Sequence, residues 1–233
     1  LFYTIIFNRF DMFKYMIEYG FDPYNKNILE LNCFHISLKL NRKKFLFYLF
    51  EKYNDFSFIT KNRESFLYLI LQKNQNKYFE KILIKNVDIN LGECEYNINP
   101  LMITVVNNMQ NEFNILMNRP DINYYKCDKY GNTILHYSIL ENNYYITKKI
   151  IESFESFNYQ NLNGWAPFHL LNQNNEMLNN LYNDDKKLFD KLVNNTNFNL
   201  IDNEGETIAL SLLKRNIDNI KIEIINKKNI NPI

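Results

Sequence analysis

The chain has 233 residues, 46% of them hydrophobic, and its 27 Lys and Arg nearly balance its 26 Asp and Glu for a formal charge of +1. So even a balance argues against the basic surface that polyanion binding uses, and nucleic acid is not the expected partner. No apolar run reaches the roughly 18 residues needed to cross a bilayer, so no membrane insertion is expected, and Leu1 to Phe7 and Phe45 to Phe50 read as buried helix segments.

From the N-terminus onward the chain repeats itself. Phe34-His35, Leu67-Tyr68, Leu101-Met102, Leu135-His136 and Phe168-His169 begin at intervals of 33, 34, 34 and 33 residues. Leu1 heads a truncated first copy (34 − 1 = 33). A near-constant period of this length means one supersecondary unit copied along the chain, each copy burying its apolar face only against its neighbours. The second and third copies carry Glu30 and Arg63 where a turn glycine is expected, and the fourth carries Asn97, the one of the three that tolerates positive φ well. The fourth and sixth start their first helices through Asn99-Pro100-Leu101-Met102 and Ala166-Pro167-Phe168-His169, with Pro where its missing N–H costs little.

The clearest copy is the fifth: Asp128, Gly131, Thr133, Ile134, Leu135, His136, Ser138 and Ile139, then Ile146, Ile150 and Ile151. In the seventh, Asp202, Gly205, Thr207, Ala209, Leu212 and Leu213 restate it, but Ala209 follows Phe168 by 41 residues (209 − 168 = 41), which is one period plus eight (41 − 33 = 8). The excess falls within Glu176 to Lys187 of the sixth copy, and an insertion in such an array is expected as a protruding loop.

These residues resemble the ankyrin repeat, whose unit is a β-turn, a first helix started through Thr-Pro-Leu-His, and a second helix rich in Leu, Ile and Val. Gly20-Phe21-Asp22-Pro23, Asp88-Ile89-Asn90, Asp121-Ile122-Asn123, Asn197-Phe198-Asn199 and Asn229-Ile230-Asn231 sit where the family's Asp-Val-Asn segment falls. The resemblance covers residues 1–233 and implies an all-α solenoid of stacked helix pairs with β-turn fingertips, one domain of about seven repeats. The first copy lacks its turn and the chain has no initiator Met, so a piece of a longer protein is expected.

His35, His136 and His169 are the only histidines, and each occupies the His of the helix-start motif, where the resemblance implies hydrogen bonds between neighbouring turns. None is left over for a catalytic triad or a metal, so neither catalysis nor a cofactor is expected. Cys33, Cys94 and Cys127 are an odd, scattered set without a Cys-x-x-Cys pair, which reads as reduced thiols in an intracellular, cytoplasmic or nuclear protein. Gly131, Gly164 and Gly205 are single turn glycines rather than parts of a phosphate loop.

What the resemblance implies about function is a non-catalytic module that binds another protein through a concave strip of turn tips and inner helices. The register puts Tyr96, Tyr130, Leu162 and Trp165 on the tips, and Glu141, Gln173, Lys214 and Arg215 along the inner helices. Trp, Tyr and Arg dominate interface energetics, and Trp165, the only Trp, stands out for that reason. A second reading has Trp165 packed over the adjacent turn as mere cover. At the level of the whole protein the alternative is a regulatory or substrate-recruiting ankyrin domain of a larger enzyme, such as a palmitoyltransferase or kinase, of a channel, or of a chromatin-associated adaptor.

Overall fold

A computed structural model describes residues 1–214 and 218–228, and among them lie fifteen α-helices and no strand. The chain forms two compact units, Leu1–Pro100 and Leu101–Ile233.

In the first unit, α1 (Phe2–Ile6), α3 (Cys33–Lys39) and α5 (Phe66–Gln72) are the first helices of three copies. The returning helices are α2 (Phe10–Glu18), α4 (Lys43–Lys52) and α6 (Phe79–Leu83), the last preceded by a 3-10 turn over Asn76–Tyr78. Asn32 and Ser65 cap α3 and α5 by accepting the backbone N–H three residues on, which fixes where each helix begins. The core is unusually aromatic. The Phe34 ring lies 4.9 to 5.2 Å from Tyr24, Phe56 and Phe58, and Phe50 stacks on Phe56 at 4.8 Å. Offset and edge contacts of this kind add to the burial that holds successive copies together.

In the second unit, α7 (Pro100–Val106), α9 (Ile134–Leu140), α11 (Pro167–Gln173) and α14 (Ile208–Leu213) are the first helices. The returning layer holds α8 (Gln110–Met117), α10 (Tyr144–Ser153), α12 (Asn175–Asp184), α13 (Lys186–Asn194) and α15 (Asp218–Lys228). Its core is aliphatic: Leu135, Ile139, Ile146, Ile150 and Ile151 are all buried, with Phe168 and Phe189 beside them in the next copy.

Two backbone devices repeat with the period. An Asn in the left-handed region turns each of the first five helix pairs: Asn8, Asn41, Asn74, Asn108 and Asn142, with φ between 49° and 58°. Asn is the non-glycine residue that best tolerates this conformation, so a chain with only five glycines still makes the turn. The turn-glycine position is likewise left-handed in every copy that has one, including Glu30 at φ 57°, Arg63 at φ 61° and Asn97 at φ 58°. The turn-glycine position therefore keeps one backbone conformation, and the divergent copies hold it under strain. Replacing the exposed Arg63 by Gly is expected to raise stability by about 1 kcal/mol, because an L side chain there costs about 1–2 kcal/mol and Gly returns part of that in backbone entropy. The urea midpoint of Arg63→Gly against the parent chain measures it, and an unchanged or lower midpoint speaks against stored strain.

Two expectations are corrected. Leu1 to Phe7 is not a buried segment: α1 buries only Ile5, which it packs toward α2 and α3, while Tyr3, Ile6 and Phe7 are exposed. Phe45 to Phe50 is buried at Phe45, Leu46, Leu49 and Phe50 but turns Phe47 outward at 56% exposure. The extra residues of the sixth copy are not a protruding loop either. They form α12, whose Met177, Leu178 and Leu181 are fully buried against its neighbours. The Asn174 side chain caps α12 by accepting the Met177 N–H, and Asp185 caps α13 through Leu188. An extra turn with apolar residues at i, i+1 and i+4 has a face to bury, so it packs as a helix.

Candidate protein-binding surface

Each turn of the second unit is built on an acceptor at its first position. One side-chain oxygen of Asp128 accepts the N–H groups of Tyr130 and Asn132, Asn161 those of Asn163 and Trp165, and Asp202 those of Glu204 and Glu206. These closed turns then join one another. The Leu162 N–H donates to the Tyr130 carbonyl at 2.8 Å, and the Asn203 N–H donates to the Asn163 carbonyl at 3.0 Å. The tips are thereby fixed in register and present their side chains from a rigid base.

The histidines secure the helices beneath. His35, His136 and His169 each accept the backbone N–H three residues earlier at Nδ1, at 3.2, 3.2 and 3.0 Å. With Nδ1 an acceptor the proton is assigned to Nε2. In His136 that Nε2–H donates to the Trp165 carbonyl at 2.9 Å, the tie between neighbouring turns that the family resemblance implies. His35 and His169 make no such bond: Nε2 of each is buried without a partner among the described residues. Phe58 and Phe66 pack edge-on around His35 instead, and the Glu206 carbonyl beside His169 falls short of hydrogen-bond geometry. Burial lowers the pKa of all three imidazoles, that of His35 to about 4 with the Lys26 charge adding to the effect.

Trp165 is half-buried. Burial raises the Asp202 carboxyl, but the Glu206 and Glu204 N–H groups and the nearby Trp165 indole outweigh it and hold that carboxyl below the usual range. The ring therefore does lean over the adjacent turn, but it also walls a cleft of about 240 Å³ between α11 and α14. Gln173 and Lys214 face the same cleft, as do Asp202, Glu204 and Glu206. The Lys214 ammonium is paired with Glu206 at 2.8 Å, so the cleft carries three carboxylates against one ammonium. Its floor includes Asn172, which donates from Nδ2 to Ser211 Oγ and the Ile208 carbonyl and leaves Oδ1 buried without a partner among the described residues.

Gln173 also borders a second depression, of about 410 Å³, with Leu140 and Leu170, and Glu141 lines a third, of about 420 Å³, with Val106 and Asn143. Tyr130 and Leu162 stand on their tips, 48% and 67% exposed. Tyr96 belongs to the first unit, on a turn organised differently: there the buried Glu93 carboxylate accepts the N–H groups of Glu95, Tyr96 and Ile98. Arg215 lies outside the described residues. Sequence reasoning took Asp202 only as a repeat position and did not single out Glu204, Glu206 or Asn172. The spacing that places Trp165 places Glu206 equally well (206 − 165 = 41, the interval from Phe168 to Ala209).

Among the described residues no group of three His, Cys, Asp or Glu is placed to hold a metal, and no helix is long and apolar enough to cross a membrane. Among the described residues no disulfide joins the three cysteines. Cys33 is buried, which pushes its thiol up to about 12, while Cys94 and Cys127 are exposed.

Stacked helix pairs with a fixed period, joined by closed turns, define a helical repeat protein with a grooved surface. Residues 67–161 match the family model for ankyrin repeats in three copies, in line with what the helix-start motif implied. Two solved structures are alike over nearly the whole length. The ankyrin repeat domain of Bcl-3, described as a unique member of the IkappaB protein family, has a TM-score of 0.72 at 12% identity, over 97% of this chain and 96% of that one. The human ASB11 ankyrin repeat domain has a TM-score of 0.65 at 13% identity, over 97% and 96%. At such identities the likeness is one of fold. No curated protein sequence matches the chain. The ankyrin fold is a protein-interaction fold, typically without catalysis of its own.

Proposed function

We propose that this chain is a non-catalytic protein-binding module whose second unit recognises a partner segment carrying a basic side chain. The observation that carries the reading is the cleft under Trp165, which Asp202, Glu204 and Glu206 line beside an aromatic ring and whose floor includes Asn172, its Oδ1 without a partner among the described residues. Acceptors without enough donors, next to a ring whose face attracts cations, suit a guanidinium or an ammonium. Gln173, Glu141 and the tips at Tyr130 and Leu162 extend that contact, with Tyr96 and Arg215 as further candidates.

The same proposal takes residues 1–233 as one repeat domain, supported by a period that runs unbroken from Leu67 through Leu101 to Leu135. An odd number of thiols without a disulfide among them supports an intracellular setting, cytoplasmic or nuclear.

The test is selection from a displayed peptide library on the whole chain, followed by affinity measurement on Trp165→Ala and on Glu204→Lys. The second variant lies on an exposed tip where no fold contact depends on it. Enrichment of Arg or Lys in the selected peptides, and affinity weakened about tenfold or more by each variant, is the expected result. Peptides without basic residues, or affinities untouched by both variants, would refute the reading.

A further inference from the structure

The first unit carries a different surface, on its returning helices rather than its turns. Here α4 forms the floor of a groove of about 660 Å³, with α2 on one side and the 3-10 turn and α6 on the other. Phe10, Phe47, Tyr48 and Tyr78 supply the aromatic lining. Lysines stand over these rings: Lys81 lies 4.6 Å from the Phe47 centroid and Lys77 4.7 Å from that of Tyr78. Lys43 and Lys44 complete the rim, and Glu51 is its only acid, already in contact with Lys81 at 3.9 Å. Four ammonium groups against one carboxylate leave the groove at +3 (4 − 1 = 3), in a chain whose overall charge is +1.

Tyr78 stacks on the buried Phe50, and Tyr48 packs edge-on against Phe10 and Phe13, but Phe47 makes no such contact with a neighbouring ring. In the repeat register the positions of Phe47 and Tyr48 on α4 are filled by Lys148 and Lys149 on α10 (47 + 101 = 148; 43 + 101 = 144, where α10 begins). Where one copy carries a cation, the other turns the Phe47 ring outward at 56% exposure, so Phe47 answers to something other than the stack. An aromatic trough 56% exposed at its centre is costly to leave in water.

We propose that this groove is a second docking site, for an acidic amphipathic helix of a partner protein, with apolar side chains on the ring floor and carboxylates against the lysine rim. Charge complementarity selects the sign of the partner. The two walls select a rod that lies along α4, the arrangement in which an amphipathic helix inserts its apolar face into a groove. This site is separate from the cleft under Trp165 and wants the opposite charge, so either reading stands without the other.

The experiment uses two fluorescent synthetic helices with one shared Leu and Phe face, the first with Glu on its polar face and the second with Lys. They are titrated with the whole chain, with Phe47→Lys and with Lys43→Glu/Lys44→Glu. Phe47→Lys installs the residue that α10 carries at the same position, so the variant keeps the stack, and circular dichroism checks that it does. The expected result is binding of the Glu helix only, weakened at least about tenfold in both variants and falling as salt is raised. No binding of the Glu helix at millimolar concentration, equal binding of the Lys helix, or equal affinity in the variants overturns the proposal. So does capture of vesicles of anionic phospholipid, abolished by the same substitutions, in the absence of helix binding, which would make the groove a lipid site.

Discussion

Gly164→Ala is expected to destabilise the second unit by about 3 kcal/mol, the largest single effect among the turn residues. Two causes add. Gly164 has φ 74°, where an L side chain costs about 1–2 kcal/mol. A Cβ built there also meets the Asp202 Cα at 2.7 Å and the Asn203 N at 2.9 Å, so the neighbouring turn must move. That motion breaks the Asn203 N–H bond to the Asn163 carbonyl and the Asn203 side-chain bond to the Leu162 carbonyl, the contacts that hold Asp202 beneath Trp165. Gly205 is the internal control: φ is 83° but nothing lies within 4 Å, so Gly205→Ala is expected to cost only the backbone part, about 1 kcal/mol. Urea unfolding of both variants decides it. Trp165, as the sole Trp, adds a local readout, and its emission shifts to the red in Gly164→Ala as the ring leaves the turn. Equal destabilisation by the two substitutions would mean that the close approach at Gly164 contributes nothing.

What was legible in the sequence follows from what the repeat constrains. Leu67, Leu101, Leu135 and Phe168 are all buried at the same point of successive units, and a stacked array must satisfy that point in every copy, so the period survives divergence. His136 was legible for the same reason, since its two bonds are made by the fold's own backbone. The helix α12 was hidden by composition: the asparagines from Asn174 to Asn183 look like a loop, although Met177, Leu178 and Leu181 already mark an apolar face and Asn174 a cap. The left-handed asparagines at the helix-pair turns were hidden because Asn is common throughout this chain. Surface features were least legible. The aromatic trough around Phe47 does not obey the period, and of the carboxylates beneath Trp165 only Asp202 is the acid of the repeat, since solvent-facing positions are free to vary from copy to copy, and such freedom is what lets a repeat array acquire a partner.

Acidification from pH 7 to pH 5 is expected to cost about 2 kcal/mol of stability through His35 alone. In the folded chain its pKa is lowered from 6.5 to about 4, chiefly by burial and secondarily by the Lys26 charge. The unfolded chain therefore binds the proton more tightly, and the contribution is whole above pH 6.5 and is lost as the pH falls from there toward 4. Protonation also removes the acceptor at Nδ1 that holds the Asn32 N–H, so the start of α3 loosens with it. His136 and His169, both lowered by burial, act in the same direction and window. Glu223, whose carboxyl is held at about 2 by Lys186 and Lys227, loses its contribution only below about pH 4.5, so the interval between pH 7 and pH 5 isolates the histidines. The discriminating variant is His35→Met, which installs the residue found at Met102 in the fourth copy. It is expected to lower stability at pH 7 by about 1 kcal/mol through the lost cap and to flatten the fall between pH 7 and pH 5 by most of the His35 share. A parent chain with the same urea midpoint at both pH values, or a His35→Met profile as steep as the parent's, would show that the imidazole takes up its proton in the folded state without cost, and that α3 does not depend on its neutral form.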